Sequence, residues 1–499
     1  MKSNLKWMSI VALGVAFSCL SLLARSNQIA KASGISEPKS LPSDLTKRVS
    51  NPNLDFIDSP YELFTQTGTS TAQCGNNVVV SYKDAGSLSE LGGLEYSLIG
   101  YAVSTNRGLT FTDKKFLNIG LRPTRTFMTL RGHPVVACAD AKTFYQASIF
   151  AEEMSVGTFQ FIAVSRSFDG GATFGSPIFA APRGYEFSTW VDNQWLTVDP
   201  TNRRRLYLTY TKVTIFPSPR IAIEIVRSVD GGETWSQLVK VADRPYYRGS
   251  AKFQGIQVIV GPQGQVYVAW QLLPPSGKPI LKLRKSIDGG LSFGAYTTIS
   301  SVTRVGNQGL LKGGIRIEEF PMLAVNRNTG ELYATWNDGR RNSQQSQSGT
   351  YRYSDILFSR SIDGGATWSA PVRVNNNQEP TGSTLAGTDQ YMPAIAVDRT
   401  GKIAICFYDR RFDPKNLLID RVCATSLDKG VTWNNTRFTK ISFPPKEAAD
   451  SLYGLYDTLL YGLYDTLASD FNQIFPGFVG GYTDNTLADT APDIRATKF

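Results

Sequence analysis

The chain has 499 residues, of which 41% are hydrophobic, 19% charged and 11% aromatic, with 44 Gly and a formal net charge of +10. That length admits one large repeat domain or two or three ordinary ones, and the Gly and aromatic content favours strands joined by tight turns over long helices. The single histidine, His133, excludes a multi-His metal site and leaves one residue for any Ser-His-Asp triad, and no Lys/Arg run marks a nucleic-acid-binding tail.

Residues 1–32 read as a signal peptide. Lys2 and Lys6 precede an apolar run from Trp7 to Ala24, and Ala30-Lys31-Ala32 supplies a cleavage site. An uncleaved anchor is the competing reading, but the run is barely long enough to span a bilayer. Cleavage near Ala32 implies a secreted or periplasmic protein with no remaining membrane span. Residues 1–32 hold four cations and no acid, so the net charge falls from +10 to +6. Cys19 leaves with this segment. The remaining Cys74, Cys138, Cys406 and Cys423 permit two disulfides in an exported chain, and none has the spacing of a thiolate metal site. Residues 33–64, rich in Pro, Ser and Asn, read as a leader.

From residue 65 an eight-residue pattern recurs. It appears as SFDGGATF (167–174), SVDGGETW (228–235), SIDGGLSF (286–293), SIDGGATW (361–368) and SLDKGVTW (426–433). A degenerate copy, STNRGLTF (104–111), carries Asn106 in place of Asp. The copies lie 58 to 75 residues apart. The chemistry is that of a hairpin turn. The carboxylate accepts from turn N–H groups and neighbouring hydroxyls, Gly supplies positive φ, and the closing aromatic packs back on the hairpin. Asp169, Asp230, Asp288, Asp363 and Asp428 are therefore structural.

The sequence between copies repeats as well. Apolar segments such as LYATW (332–336) and IAICFYD (403–409) alternate with turn signals, giving four antiparallel strands, A to D, per unit, with the motif at the C–D turn. Such units stack around an axis to bury both faces. The motif count predicts an all-β, six-bladed β-propeller over residues 65–445, with a seventh blade made from the two tails as the alternative. Strand placement pairs Cys406 with Cys423 across one hairpin and Cys74 with Cys138 between neighbouring A strands. Residues 446–499 contain a tandem duplication, LYGLYDTL at 452–459 and 460–467, which reads as an inserted loop or as part of a closure of the propeller.

The motifs resemble the Asp-box, or BNR, repeats of sialidases and related secreted propellers. YATWNDGRR (333–341), CFYDRRFDP (406–414) and GFVGGY (477–482) are similar to segments of a bacterial sialidase-like subgroup, with Gly481 where Asp is expected. The resemblance implies a propeller acting on or binding glycans. Catalytic members use three arginines, a tyrosine nucleophile with its glutamate and an acid/base aspartate. The Arg-Ile-Pro motif carrying the first arginine is missing here, the nearest likeness being Leu121-Arg122-Pro123.

With the boxes on one face, any site falls on the other, in the B–C and D–A loops. These carry Tyr246, Tyr247 and Arg248; Arg316, Glu318 and Glu319; Asp338, Arg340 and Arg341; Asp389 and Tyr391; and Asp409, Arg410 and Arg411. Glu318, Glu319 and Tyr247 are the catalytic candidates. Arg248, Arg316, Arg340, Arg410, Asp338, Asp409 and Tyr391 are the ligand-binding candidates, since arginine forks hold carboxylates and tyrosine faces stack on sugars. The competing reading is that Asp-x-Arg pairs at strand ends pin the loops. The functional expectation is a sialidase-like propeller recognising a glycan, glycoconjugate or other extracytoplasmic ligand. An active exo-sialidase or related glycosidase and a protein-binding scaffold are the alternatives. No cofactor or metal is expected.

Overall fold

The computed structural model describes residues 46–51, 66–84, 95–119, 127–182, 186, 188–247, 249–307, 309–346, 349–378, 387–445, 466–472, 476–484 and 493–499. Residues 1–45, which include the expected signal peptide, residues 52–65 and most of the duplicated segment lie outside them. The described residues form seven β-sheets, each built on four antiparallel strands and one carrying a fifth, the blades of a propeller. Blade 1 runs from Gln66 to Phe116, blade 2 from Phe127 to Ala181 and blade 3 from Thr189 to Pro245. Blade 4 spans Lys252 to Ser301, blade 5 Met322 to Arg373 and blade 6 Gln390 to Arg437. The short strand Glu95–Ser97 lies parallel beside strand A of blade 2.

The expectation of six blades is thus corrected to seven. Blade 7 takes strands A to C from the C-terminal part, Leu467–Ser469, Phe478–Asp484 and Asp493–Lys498, and strand D from Thr46–Arg48. Because its strand D arrives from the other end of the chain, this blade has no C–D hairpin. A motif that marks C–D hairpins therefore counts one blade too few.

A hydrophobic cluster fills each gap between neighbouring blades. Between blades 1 and 2, for example, Val79, Tyr101 and Val103 meet Leu130, Phe144 and Phe161. Val78, Val80 and Tyr82 meet Val479, Ile494 and Ala496 across the closing gap. Each box aromatic packs into the gap on its own blade's preceding side: Phe111, Phe174, Trp235, Phe293, Trp368 and Trp433 in turn. The buried surface lies between units that cannot cover it alone, so each blade depends on its neighbours.

The boxes close as hairpins. In blade 2, Ser167 Oγ donates to Asp169 Oδ1 (2.8 Å), Thr173 Oγ1 donates to Asp169 Oδ2 (2.6 Å), and Gly171 N donates to Ser167 Oγ (2.9 Å). The same bonds recur at Asp230, Asp288, Asp363 and Asp428. In blade 1 Asn106 reverses one of them, its Nδ2 donating to Thr110 Oγ1 at 2.8 Å. Between consecutive boxes, Arg166 Nη1 donates to Gly231 O (3.3 Å) and Arg227 Nη1 to Gly289 O (3.0 Å). A disulfide joins Cys74 to Cys138 between the A strands of blades 1 and 2, and another joins Cys406 to Cys423 within blade 6.

Candidate functional site

The B–C and D–A loops emerge opposite the boxes. The largest described structure there is the D–A excursion of residues 302–321, between blades 4 and 5. Its Leu311, Ile315 and Ile317 pack with Tyr391, Met392, Tyr408, Ile419, Phe443 and Tyr482, contributed by blades 6 and 7 and the segments beside them. The excursion therefore seals this sector of the loop face with an apolar core of its own.

Beneath it, polar side chains bond to one another. Glu319 is fully buried, accepting from Val305 N (3.0 Å) and Gln271 Nε2 (3.3 Å), with Arg304 Nε at 3.8 Å. Burial, reinforced by neighbouring Glu318, outweighs these partners and pushes its carboxyl up to about 7. Glu318 accepts from Arg304 Nη2 at 3.2 Å and Arg316 Nη2 at 3.1 Å. Tyr247 stands apart on the blade 3–4 connection, its backbone exchanging hydrogen bonds with Ser250. Of the three catalytic candidates, the two carboxylates thus share Arg304, while the Tyr247 ring stands exposed on a different connection.

A second cluster joins blades 5 and 6. Asp389 accepts from Tyr351 Oη (2.6 Å), Asn416 Nδ2 (2.6 Å) and Ser354 N (3.0 Å), with Arg410 Nη1 at 3.9 Å. Burial first, then the Asp389 charge, pushes the Tyr351 hydroxyl well above the ordinary phenol range. Arg410 is fully buried, donating to Lys312 O (2.9 Å) and Asn416 O (3.1 Å) and lying over the Tyr391 ring. Tyr391 is buried and stacked on Tyr408.

The two Asp-x-Arg loops resemble each other locally. Asp338 accepts from Trp336 Nε1 (3.0 Å) and Arg340 N (2.9 Å), and the Arg340 guanidinium returns to Asp338 and reaches Ser300 Oγ. Asp409 accepts from Arg411 N (2.8 Å), Arg411 Nε (2.6 Å) and Gln390 Nε2 (3.0 Å). Burial drives the Asp409 carboxyl upward despite these donors. Arg341 is more open, 3.9 Å from Asp355. Arg248 and Arg122 lie outside the described residues.

Open aromatic surface sits instead at the loop end of blade 3. Trp190, Phe216 and Tyr247 are 45%, 72% and 69% exposed, with Ile215 beside them. Trp190 is paired with Val213, which packs between blades 3 and 4 with Phe253 and the half-buried Tyr246. Cross-strand partners share a sheet face, so Trp190 lies on that same side. Ile215 N donates to Ser188 O and Tyr246 N to Pro219 O, tying the three connecting segments together. Tyr246 and Tyr247 fall in an expected loop-face segment, whereas Trp190 and Phe216 fall outside the expected site residues. Their signal was present: a Trp beside a polar Thr at the start of a strand, and an apolar pair, Ile215-Phe216, ahead of two prolines.

The central channel offers less room. Its cavity measures about 220 Å³ and is lined by A-strand residues including Ser70, Thr71, Gln73 and Thr197. Arg327 narrows it, lying 4.3 Å over the Phe471 ring and donating to Phe471 O at 2.6 Å. Pockets that enclose ligands of drug size run to roughly 300–1,000 Å³. Among the described residues, no group of three or more His, Cys, Asp or Glu side chains could hold a metal ion, and no helix is long and apolar enough to cross a membrane.

No family model and no curated protein matches the chain. Solved structures resemble it in fold. A protein of unknown function from Dyadobacter fermentans is 10% identical, covering 88% of this chain and 95% of its own, with a TM-score of 0.44. The Hadza microbial sialidase Hz136 is 14% identical, covering 80% of this chain and 73% of its own, with a TM-score of 0.42. An alpha-L-arabinofuranosidase from Fusarium graminearum, in complex with an iminosugar inhibitor, is 14% identical over 73% of this chain and 92% of its own, with a TM-score of 0.45. The fold is a β-propeller distantly similar to those of sialidases and other glycoside hydrolases.

Proposed function

We propose that this is an exported carbohydrate-binding propeller that recognises a glycan or glycoconjugate on its loop face, at the open end of blade 3. The observation that carries the reading is the exposure of Trp190, Phe216 and Tyr247 at one blade end. Aromatic rings offer flat apolar faces to the C–H faces of sugars while Tyr and Trp retain a polar edge. The buried Asp, Glu and Arg clusters of blades 4 to 6 hold their own loops in place.

One observation favours a second reading, hydrolysis of the exo-sialidase type. Glu319, pushed up to about 7 beside Glu318, has the proton affinity of a general acid. In that reading the 302–321 excursion must lift to admit substrate. The purified protein is tested against an immobilised glycan panel and against fluorogenic sialosides and other glycosides. Glycan binding without turnover supports the binding module, and turnover of any glycoside supports the second reading. Absence of both from a folded protein contradicts each.

A further inference from the structure

The central channel holds a cation without a counter-charge. Arg327 follows strand A of blade 5 and lines the channel, lying over the Phe471 ring and donating to Phe471 O. It forms no ion pair among the described residues. Two charges act on it from nearby: Asp470 attracts it and Arg203 repels it. Asp470 is engaged elsewhere, its Oδ1 accepting from Gly75 N (2.8 Å) and Asn472 N (3.1 Å). Burial draws the Arg327 guanidinium down to about 10, so it stays charged at neutral pH. A guanidinium withdrawn from water costs free energy until an anion balances it, and most of its N–H donors have no protein acceptor here.

The wall of the same cavity offers hydroxyls and no carboxylate. Ser70 and Thr71 come from blade 1, Thr197 from blade 3, and Thr466 from the residue before strand A of blade 7. Ser70 Oγ accepts from Val136 N (3.0 Å), Thr71 Oγ1 from Gly481 N (2.9 Å) and Thr466 Oγ1 from Thr71 N (2.6 Å). A hydroxyl that has accepted still holds its proton, and none of these three passes it to a described acceptor. The Thr197 hydroxyl bonds to no described residue. Ser469 on the same wall differs, its Oγ donating to Val397 O at 2.7 Å. Hydroxyl protons from three blades therefore remain for whatever fills the cavity.

We propose that the central channel binds a small inorganic oxyanion of the phosphate or sulfate kind between Arg327 and the hydroxyls of Ser70, Thr71, Thr197 and Thr466. The unused groups there are donors, and an oxyanion is an acceptor on every side. A guanidinium pairs two of its oxygens at once, and hydroxyls take the others. A metal cation finds no carboxylate in this wall. The cavity of about 220 Å³ also suits the ligand, since a water occupies about 30 Å³ and a tetrahedral anion with a few waters fills the space. The bound anion would tie blade 5 to blades 1, 3 and 7. None of Trp190, Phe216 and Tyr247 lines this cavity, so the channel ligand is independent of the glycan.

The test is calorimetric titration of the full chain with inorganic phosphate at fixed ionic strength, repeated with sulfate and with chloride as competitors. The expected result is saturable binding to one site, displaced by sulfate and not by chloride at the same concentration. Arg327→Gln keeps a donor for Phe471 O and removes the charge, and is expected to lose about tenfold or more in affinity. Thr197→Val removes a hydroxyl that holds no described residue. It is expected to lose about threefold or more in affinity while melting like the parent in phosphate-free buffer. Where Arg327→Gln does not fold, Thr197→Val decides. A folded parent without saturable binding, a folded variant with the parent's affinity, or chloride competing as well as sulfate overturns the proposal.

Discussion

Lys47 lies in register with Ala496, so a strand from near the start of the chain completes the blade built by its end. Val49 N and Ser50 N both donate to Ile494 O, and Ile494 N donates to Ser50 Oγ at 3.1 Å, extending the seam beyond the strand. Without this strand, blade 7 loses its outer edge and Ile494 and Ala496 lose part of their cover. A chain beginning at residue 52 is predicted to melt several degrees lower, with faster proteolysis after residue 466. Calorimetry and limited digestion measure this, and an unchanged melting temperature contradicts it.

The closing blade also explains Gly481. A Cβ there would stand 2.8 Å from Val80 Cγ1 and 3.1 Å from Thr69 Cβ, across the gap between blades 7 and 1. Gly481→Asp, the residue expected from the resembled segment, is predicted to cost about 1–3 kcal/mol, with the added cost of burying a charge. Denaturant unfolding checks the loss.

Each full box, the Asn106 copy excepted, contributes stability that acid removes. Hydrogen bonds from the Thr367 hydroxyl and N–H and from Ser361 hold the Asp363 carboxyl at about 2. A carboxylate depressed in the folded state stabilises it above its ordinary pKa of about 4 and loses that contribution as pH falls through the folded value. Replacing Asp363 with Asn is predicted to flatten the fall in melting temperature between about pH 4 and 2, relative to the parent. Equal slopes for the two proteins contradict the assignment.

Glu319 works in the opposite direction. Its folded pKa is raised, so it favours folding fully below about 4.5 and loses that contribution as pH rises through about 7. Glu319→Gln keeps an acceptor for Val305 N and removes the titration. The variant is predicted to gain melting temperature relative to the parent as pH rises from 5 to 8, by up to about 3 kcal/mol in stability. A constant difference across that range contradicts this.

The repeat architecture was legible because the box is a local device. Serine, Asp, Gly and Thr within eight residues build the turn almost unaided, and their spacing marks six C–D hairpins. Blade 7 was legible only as an alternative built from the two tails, because its pairing joins residues 46–48 to 495–497, a non-local register that local motifs do not encode. The site was legible only as a face. Asp338, Arg340, Asp409 and Arg410 lie in loop-face connections, but sequence does not reveal that Asp409 and Arg410 are buried and turned toward partners in their own loops. Nor did it reveal that residues 302–321 cover the neighbouring blades, since that follows from Leu311, Ile315 and Ile317 meeting Tyr408 and Tyr482 from distant parts of the chain. Trp190 and Phe216 carry only that local signal, which is weak because exposed and core aromatics look alike in a strand-rich sequence.

The central claim is glycan recognition at the loop end of blade 3. It is tested most directly by titration calorimetry with the tightest-binding glycan of the panel, comparing the parent with a Trp190→Ala, Tyr247→Ala variant of unchanged melting temperature. The predicted result is saturable binding by the parent and a loss of about tenfold or more in the variant, corresponding to about 1.4 kcal/mol or more. Equal affinity in the two proteins would contradict the account.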